Sequence, residues 1–172
     1  MTGPLVFEVP GHPAPQGSKT GVRTNSGRVA FREANKRTKP WKTTVAWSLR
    51  SQLPPGHQPI DGPVLLVALF TMPAPTKPSS GRAWPSKVIE GSGDEDKLTR
   101  AVCDALTAAK VWKDDSRVVR TISGTDFPGA PGFRSEPGCR LIVAPIENDY
   151  LADIVTVWID EVLSTPNQGV LL

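Results

Sequence analysis

Several absences narrow what this 172-residue chain can be. No apolar run approaches the roughly 18–20 residues a membrane-spanning helix needs, so an intrinsic membrane protein is not expected. The start, Met1-Thr-Gly-Pro-Leu-Val-Phe-Glu8, lacks a basic stretch followed by an apolar core, which argues against a secretory signal. Cysteine is scarce. Cys103 and Cys139 lie far apart with no metal-ligand spacing, which predicts reduced thiols, a cytoplasmic setting and no zinc site. Neither a GxxxxGK[ST] loop nor a GxGxxG turn is present, so the usual nucleotide cradles are excluded. His12 and His57 both sit in Pro/Gly-rich stretches and receive no role. No segment repeats. After Arg140 there is no lysine or arginine at all, while Glu147, Asp149, Asp153, Asp160 and Glu161 follow.

Proline (18) and glycine (15) are plentiful, so loops should take a large share of the chain. Flexible loops are expected over about 12–27 and 73–93. The length and pattern predict a single domain over 1–172. Strands are expected at Leu5–Val9, Arg28–Phe31, Val64–Met72, Arg117–Ser123 and Cys139–Val143. The unbroken apolar run Val64–Met72 reads as a central strand. Helices are expected at Thr38–Leu53, Glu95–Lys110 and Tyr150–Leu163. The order β, β, α, β, α, β, β, α predicts an α/β (α+β) domain with a small mixed sheet packed by helices.

Net charge is only +3, yet its distribution is uneven. Lys19, Arg23, Arg28, Arg32, Lys36, Arg37, Lys39, Lys42 and Arg50 crowd one stretch in which Glu33 is the one acid. A basic N-terminal third is the footprint expected for a polyanion partner, although a solvated basic face kept for solubility is the plainer alternative.

Acid, in turn, is concentrated in residues 94–115. Asp94-Glu95-Asp96-Lys97-Leu98-Thr99-Arg100 opens the second helix, Asp104 follows on it, and Asp114-Asp115 comes after Trp112. Acids favour helix N-termini because they cap free N–H groups and face the positive dipole end. That explains one or two of them, not three in a row that repel one another. Asp114-Asp115 alone would pass as a solvated turn. If the acids converge, hard carboxylate oxygens of this kind suit Mg²⁺ or Mn²⁺ and phosphate chemistry. Arg100, one turn after Asp96, would then face a phosphate. Simple geometry opposes convergence, because a straight helix of about 14 residues at about 1.5 Å each would hold Asp94 some 20 Å from Asp115. Asp94-Glu95-Asp96 lacks the spacing of an EF-hand, and it follows Gly91-Ser92-Gly93 rather than the apolar strand of an aspartyl-phosphatase.

The stretch Asp94-Glu95-Asp96-Lys97-Leu98-Thr99-Arg100-Ala101-Val102-Cys103-Asp104-Ala105-Leu106, followed by Trp112-Lys113-Asp114-Asp115, resembles the RusA-like Holliday junction resolvases without a gap. Weaker similarity covers the Val9-Pro10-Gly11 strand exit, the basic loop and the Thr38–Leu53 helix. The resemblance implies a homodimeric, Mg²⁺-dependent endonuclease that nicks four-way DNA junctions symmetrically, with Mn²⁺ as a substitute. It implies Asp94, Asp96 and Asp115 as metal-binding catalytic carboxylates and Arg100 in place of a functional lysine. Arginine keeps the charge but cannot serve as a base. Lys97 stands where asparagine is usual and Gly93 where proline is common. Lys19, Arg23, Arg28, Arg32, Lys36, Arg37, Lys39, Lys42 and Lys97 are the expected DNA contacts, and Asp104 and Asp114 are expected to support the ligands. A phage or prophage origin suits the family. The resemblance also implies that the acids converge, against the straight-helix estimate. Two rival readings remain open from the residues: a non-catalytic branched-DNA-binding protein, and a metal-dependent phosphohydrolase acting on small phosphates.

Overall fold

A computed structural model describes residues 3–17, 19–23, 27–33, 35–74 and 94–146. The expected helix over 150–163 and most of the expected loop over 73–93 lie outside these residues. The architecture is α+β, organised on one strand, β4, Val64–Thr71. All eight of its residues are buried. A strand that is apolar at every position, rather than at alternate ones, needs cover on both faces. Val64, Leu66, Ala68 and Phe70 join the main core, while Leu65, Val67 and Leu69 pack with Ile142 and Ala144 on the other face.

Two strands flank it. β6, Gly138–Pro145, pairs with β4 antiparallel, and β5, Val118–Asp126, pairs with it in parallel. β1, Leu5–Pro10, closes the far edge against β6, giving the order β1-β6-β4-β5. Parallel pairing has a topological cost: the chain must return from the end of β4 to its beginning before β5 can start. Helix α2, Glu95–Ala109, makes that return. Its stripe Leu98, Ala101, Val102, Ala105, Leu106 and Ala109 is buried, as the helical spacing predicts. It stops at Lys110, whose left-handed backbone (φ 66°) lets its N–H reach the carbonyls of Leu106 and Thr107.

Helix α1, Thr38–Gln52, buries Trp41, Val45 and Leu49 beside α2. Its last residue does a second job. The Gln52 side-chain amide donates to the Glu8 carbonyl (2.9 Å), and its Oε1 accepts from the Glu8 N–H (3.0 Å). A side chain thus satisfies backbone groups on the outer edge of β1, where exposed N–H and C=O groups otherwise invite a foreign strand. On the same strand the Glu8 carboxylate accepts from Arg134 and from Arg140 Nε, which ties the 127–137 loop to the sheet. Gly138 permits that closeness: a Cβ there would lie 2.2 Å from the Val9 carbonyl and 2.7 Å from Arg134 Nε.

One expectation is corrected. Residues 12–27 are not loop throughout. Lys19–Arg23 forms strand β2, paired antiparallel with β3, Val29–Glu33, in a separate two-stranded ribbon. Thr20 and Val22 favour strand, and β3 supplies the hydrogen-bond partners that a composition reading does not reveal. Arg117, expected to open a strand, instead ends a short 3-10 helix, Asp115–Arg117, and β5 runs from Val118 on to Asp126.

Trp112 is fully buried, and its indole donates to Thr107 Oγ1 at 2.7 Å. Trp112→Ala is expected to cost about 3–5 kcal/mol, the range for emptying a large aromatic site, measured by urea unfolding. A loss under about 1 kcal/mol would mean that this side chain does not anchor the segment after α2.

Candidate active site

The parallel β4–β5 pairing fixes where the acids stand. Asp94 is the N-terminal flanking residue of α2, at the level where β4 and β5 end, whereas Asp115 precedes the start of β5. Asp94 and Asp96 therefore lie near one end of α2, and Asp115 lies beyond its other end in sequence. The 110–117 segment folds back against α2. Burial pushes the Cys103 thiol up to about 11, and the charges of Asp115 and Asp104 add to the effect. Asp115 is thus within electrostatic reach of the middle of α2, and Cys103 stands about 10 Å along the helix from Asp96 at 1.5 Å per residue. Among the described residues no group of three His, Cys, Asp or Glu side chains is close enough to share a metal ion. The described residues thus hold no ready-made three-carboxylate set.

The segment bearing Asp115 is pinned where it is. Trp112 bridges Ile60, whose N–H donates to the Val111 carbonyl (3.1 Å), and the Lys113 N–H donates to the Ile60 carbonyl (3.0 Å). Asp61 accepts from Lys113 Nζ (2.5 Å) and Arg117 Nη2 (2.9 Å), which hold its carboxyl below the usual range. Asp114 caps the 3-10 helix by accepting from the Ser116 N–H at 3.0 Å, and that bond lowers its carboxyl too. Asp115 itself is exposed.

At the helix start the acids do not cap in the ordinary way. The Asp94 side chain makes no cap bond, and its backbone carbonyl accepts from the Lys97 and Leu98 N–H groups instead. Its carboxylate pairs with Lys97 Nζ at 2.5 Å, and this partner, with the Asp96 charge nearby, raises the Lys97 ammonium above its usual range. Glu95 accepts from Thr99 Oγ1 (2.9 Å). Asp96 and Arg100 are exposed one turn apart. The donor chemistry at Asp94 and Asp96 suits a hard divalent cation, with Lys97 as the ammonium already paired there.

The basic residues collect near the same end. The Gln16 N–H donates to the Lys97 carbonyl (3.0 Å), and buried Thr38 donates its hydroxyl to the Pro15 carbonyl (2.7 Å). The root of the β2–β3 ribbon is therefore held against the start of α2 and of α1. Along the pair, Lys42 Nζ meets Asp104 (2.5 Å) and Arg50 Nη2 meets the Ala108 carbonyl (2.5 Å), so the two helices run side by side in one direction. Their positive N-terminal ends fall together beside exposed Lys36, Arg37 and Lys39. Arg28 is exposed at the ribbon turn, while the side chains of Lys19, Arg23 and Arg32 lie outside the described set. Lys42 and Asp104, expected to contact DNA and to support the ligands, are paired with each other.

Sequence reasoning missed Gln16, whose backbone anchors the ribbon and whose Oε1 has no partner among the described residues. No sequence signal marks it. It also passed over Trp47, which is 71% exposed. That residue had a signal: it falls off the Trp41-Val45-Leu49 stripe.

A family model described as endodeoxyribonuclease RusA matches residues 10–134, a span that holds every candidate residue from Lys19 to Asp115. No curated protein matches the chain.

Lys97 occupies the Asp94 carboxylate that a cation would need. Lys97→Asn is expected to lower the half-saturating Mg²⁺ concentration by about 1.5- to 5-fold, the scale of an exposed ion pair, read by titration calorimetry. An unchanged or weaker affinity counts against a cation at Asp94. A second expectation concerns acid. A carboxyl depressed in the folded state contributes stability above its ordinary value of 3.8 and loses it as pH falls through the folded value. Amide exchange over 111–117 should therefore accelerate below pH 3.8 earlier than in α2, and in Asp61→Asn that early step should vanish.

Proposed function

The chain belongs to the RusA endodeoxyribonuclease family, and from that premise we propose a Mg²⁺-dependent resolvase that cuts four-way DNA junctions by paired nicks during recombination and repair. The family is a hydrolase of DNA phosphodiester bonds that acts on branched junctions, and resolvases of this kind use divalent metal ions. The Mg²⁺ ion, the homodimer, the cytoplasmic setting and the residue roles are this reading's own. One observation carries it: two carboxylates and an arginine stand on the first turns of α2, beside the root of a basic ribbon.

Asp94 and Asp96 would hold the cation, for which Asp94 must exchange its Lys97 partner. The bound ion would neutralise charge on the phosphate and ease deprotonation of the attacking water. Arg100 lies one turn after Asp96 on α2, and its fixed positive charge would stabilise the negative charge that builds on the phosphate oxygens. Asp115, whose charge reaches the middle of α2, would be the third carboxylate of the ligand set. In the reaction a water oxygen bonds to phosphorus and the bond to the 3′ oxygen breaks. The 3′ oxygen takes up a proton, leaving a 3′-hydroxyl and a 5′-phosphate. Lys36, Arg37, Lys39 and the ribbon arginines would grip backbone phosphates, which positions DNA without reading its sequence. In a two-fold dimer each subunit would meet an equivalent phosphodiester.

The test is a synthetic four-way junction with Mg²⁺. Paired nicks are expected, with Asp96→Asn and EDTA each reducing the rate by about 100-fold or more, since loss of several kcal/mol of charge stabilisation is at stake. Asp96→Asn should still bind the junction, with affinity falling steeply as salt rises. Absence of cleavage by folded wild-type protein would overturn the reading. An Asp96→Asn variant as active as wild type would move the chemistry elsewhere, and salt-insensitive hydrolysis of small phosphates would favour the phosphohydrolase.

A further inference from the structure

Between α1 and α2 runs an open groove of about 860 Å³, and its contents do not match a solvated surface chosen for solubility. Trp47 lines it and is 71% exposed, although the same helix buries Trp41 at 3%. A lone exposed aromatic is unremarkable in itself. This one is surrounded by charge of one sign: Lys36, Lys39, Lys42 and Arg50 line the groove, against Asp104 as the only acid.

The cations differ in how they are held. Lys42 is tied to Asp104 and Arg50 to the Ala108 carbonyl, so the walls are braced across the two helices. Lys36 and Lys39 are exposed and form no ion pair among the described residues. A broad indole face with adjacent exposed ammonium groups is the combination that binds single-stranded nucleic acid, where bases stack on aromatics and the groove follows the phosphates. Asp96, Arg100 and Asp104 share one face of α2 at four-residue spacing. The groove therefore opens about 12 Å along the helix from Asp96, at about 1.5 Å per residue.

We propose that this groove is a subsite for an unstacked DNA base and its flanking phosphates, with Trp47 as the stacking platform and Lys36 and Lys39 as phosphate contacts. The proposal rests on the nuclease reading for the source of the strand, namely the junction arms beside the crossover. It adds a requirement that phosphate contacts alone do not make: a base must leave its stack on the α1 side of the cut. Charge complementarity favours DNA over a second copy of this basic face, which would repel itself.

Two probes test it in EDTA, where cleavage is suppressed: a four-way junction carrying 2-aminopurine beside the crossover, and a dT oligonucleotide. Trp47→Ala is expected to weaken binding of both by about 5- to 100-fold and to abolish the 2-aminopurine quench, while Trp47→Phe keeps most of each. The Lys36→Ala/Lys39→Ala double variant should lower the slope of log affinity against log salt by about 1.4–1.8. Sedimentation of Trp47→Ala should match wild type. Wild-type affinity and quench in Trp47→Ala would overturn the proposal, and so would an altered oligomeric mass, which would assign the face to a second copy. Junction cleavage by the wild-type protein is scored separately. Cleavage with an indifferent Trp47→Ala sinks the subsite alone. No cleavage, with Trp47-dependent dT binding, sinks the nuclease reading alone.

Discussion

The parallel pairing of β4 with β5 is the constraint on which the rest of the molecule depends. β4 is buried along its whole length, so it needs a strand on each side and cover on each face. β6 can join it by simple reversal. β5 cannot, and α2 must carry the chain back across the sheet. That one crossing places Asp94 and Asp96 at one end of the helix and the Asp114–Asp115 turn after the other. The burial of Leu98, Val102 and Leu106 beneath α2 then turns Asp96, Arg100 and Asp104 outward on the opposite face. The core and the candidate site are consequences of the same topology.

Electrostatics at the site is settled by neighbours in sequence as much as by fold. Three acids in a row should repel one another, yet each of the first two has a nearby partner: Lys97 for Asp94 and Thr99 for Glu95. The arrangement tolerates its own charge without a cation. Farther along, Asp104 is neutralised by Lys42 across the helix pair, so its charge braces α1 against α2.

Much of this was legible in the residues. The i, i+4 stripes of α1 and α2 give both helices to within a residue or two, because burial of one helical face leaves a periodic trace. The unbroken run from Val64 marks the central strand for the same reason. The acid motif marks the family, whose match covers 10–134. The β2–β3 ribbon was half legible: a strand was expected at Arg28–Phe31, where β3 runs Val29–Glu33, but β2 fell in an expected loop. The residues of β2 are mostly polar, basic or glycine, and its pairing depends on a partner strand across a turn rather than on any periodicity of its own. The placement of Asp115 was half legible. Helix length sets the separation, but the fold-back depends on Asp61, Ile60 and Trp112, contacts that spacing within the motif cannot express. The grouping of Lys36 and Lys39 beside the acid end needed tertiary structure, because the Gln16–Lys97 and Thr38–Pro15 bonds join segments far apart in sequence.

The Gln52 amide, lying on Glu8 like a fragment of a fifth strand, has a bearing on assembly. With that side of the sheet stoppered, lateral growth has a polarity. Among the described residues β5 pairs only with β4, and Val119 and Ile122 are exposed along it. That leaves β5 as the more open edge of this sheet. Two copies pairing there about a two-fold axis would each turn the rim that Gln52 covers outward, which disfavours lengthening into a fibre.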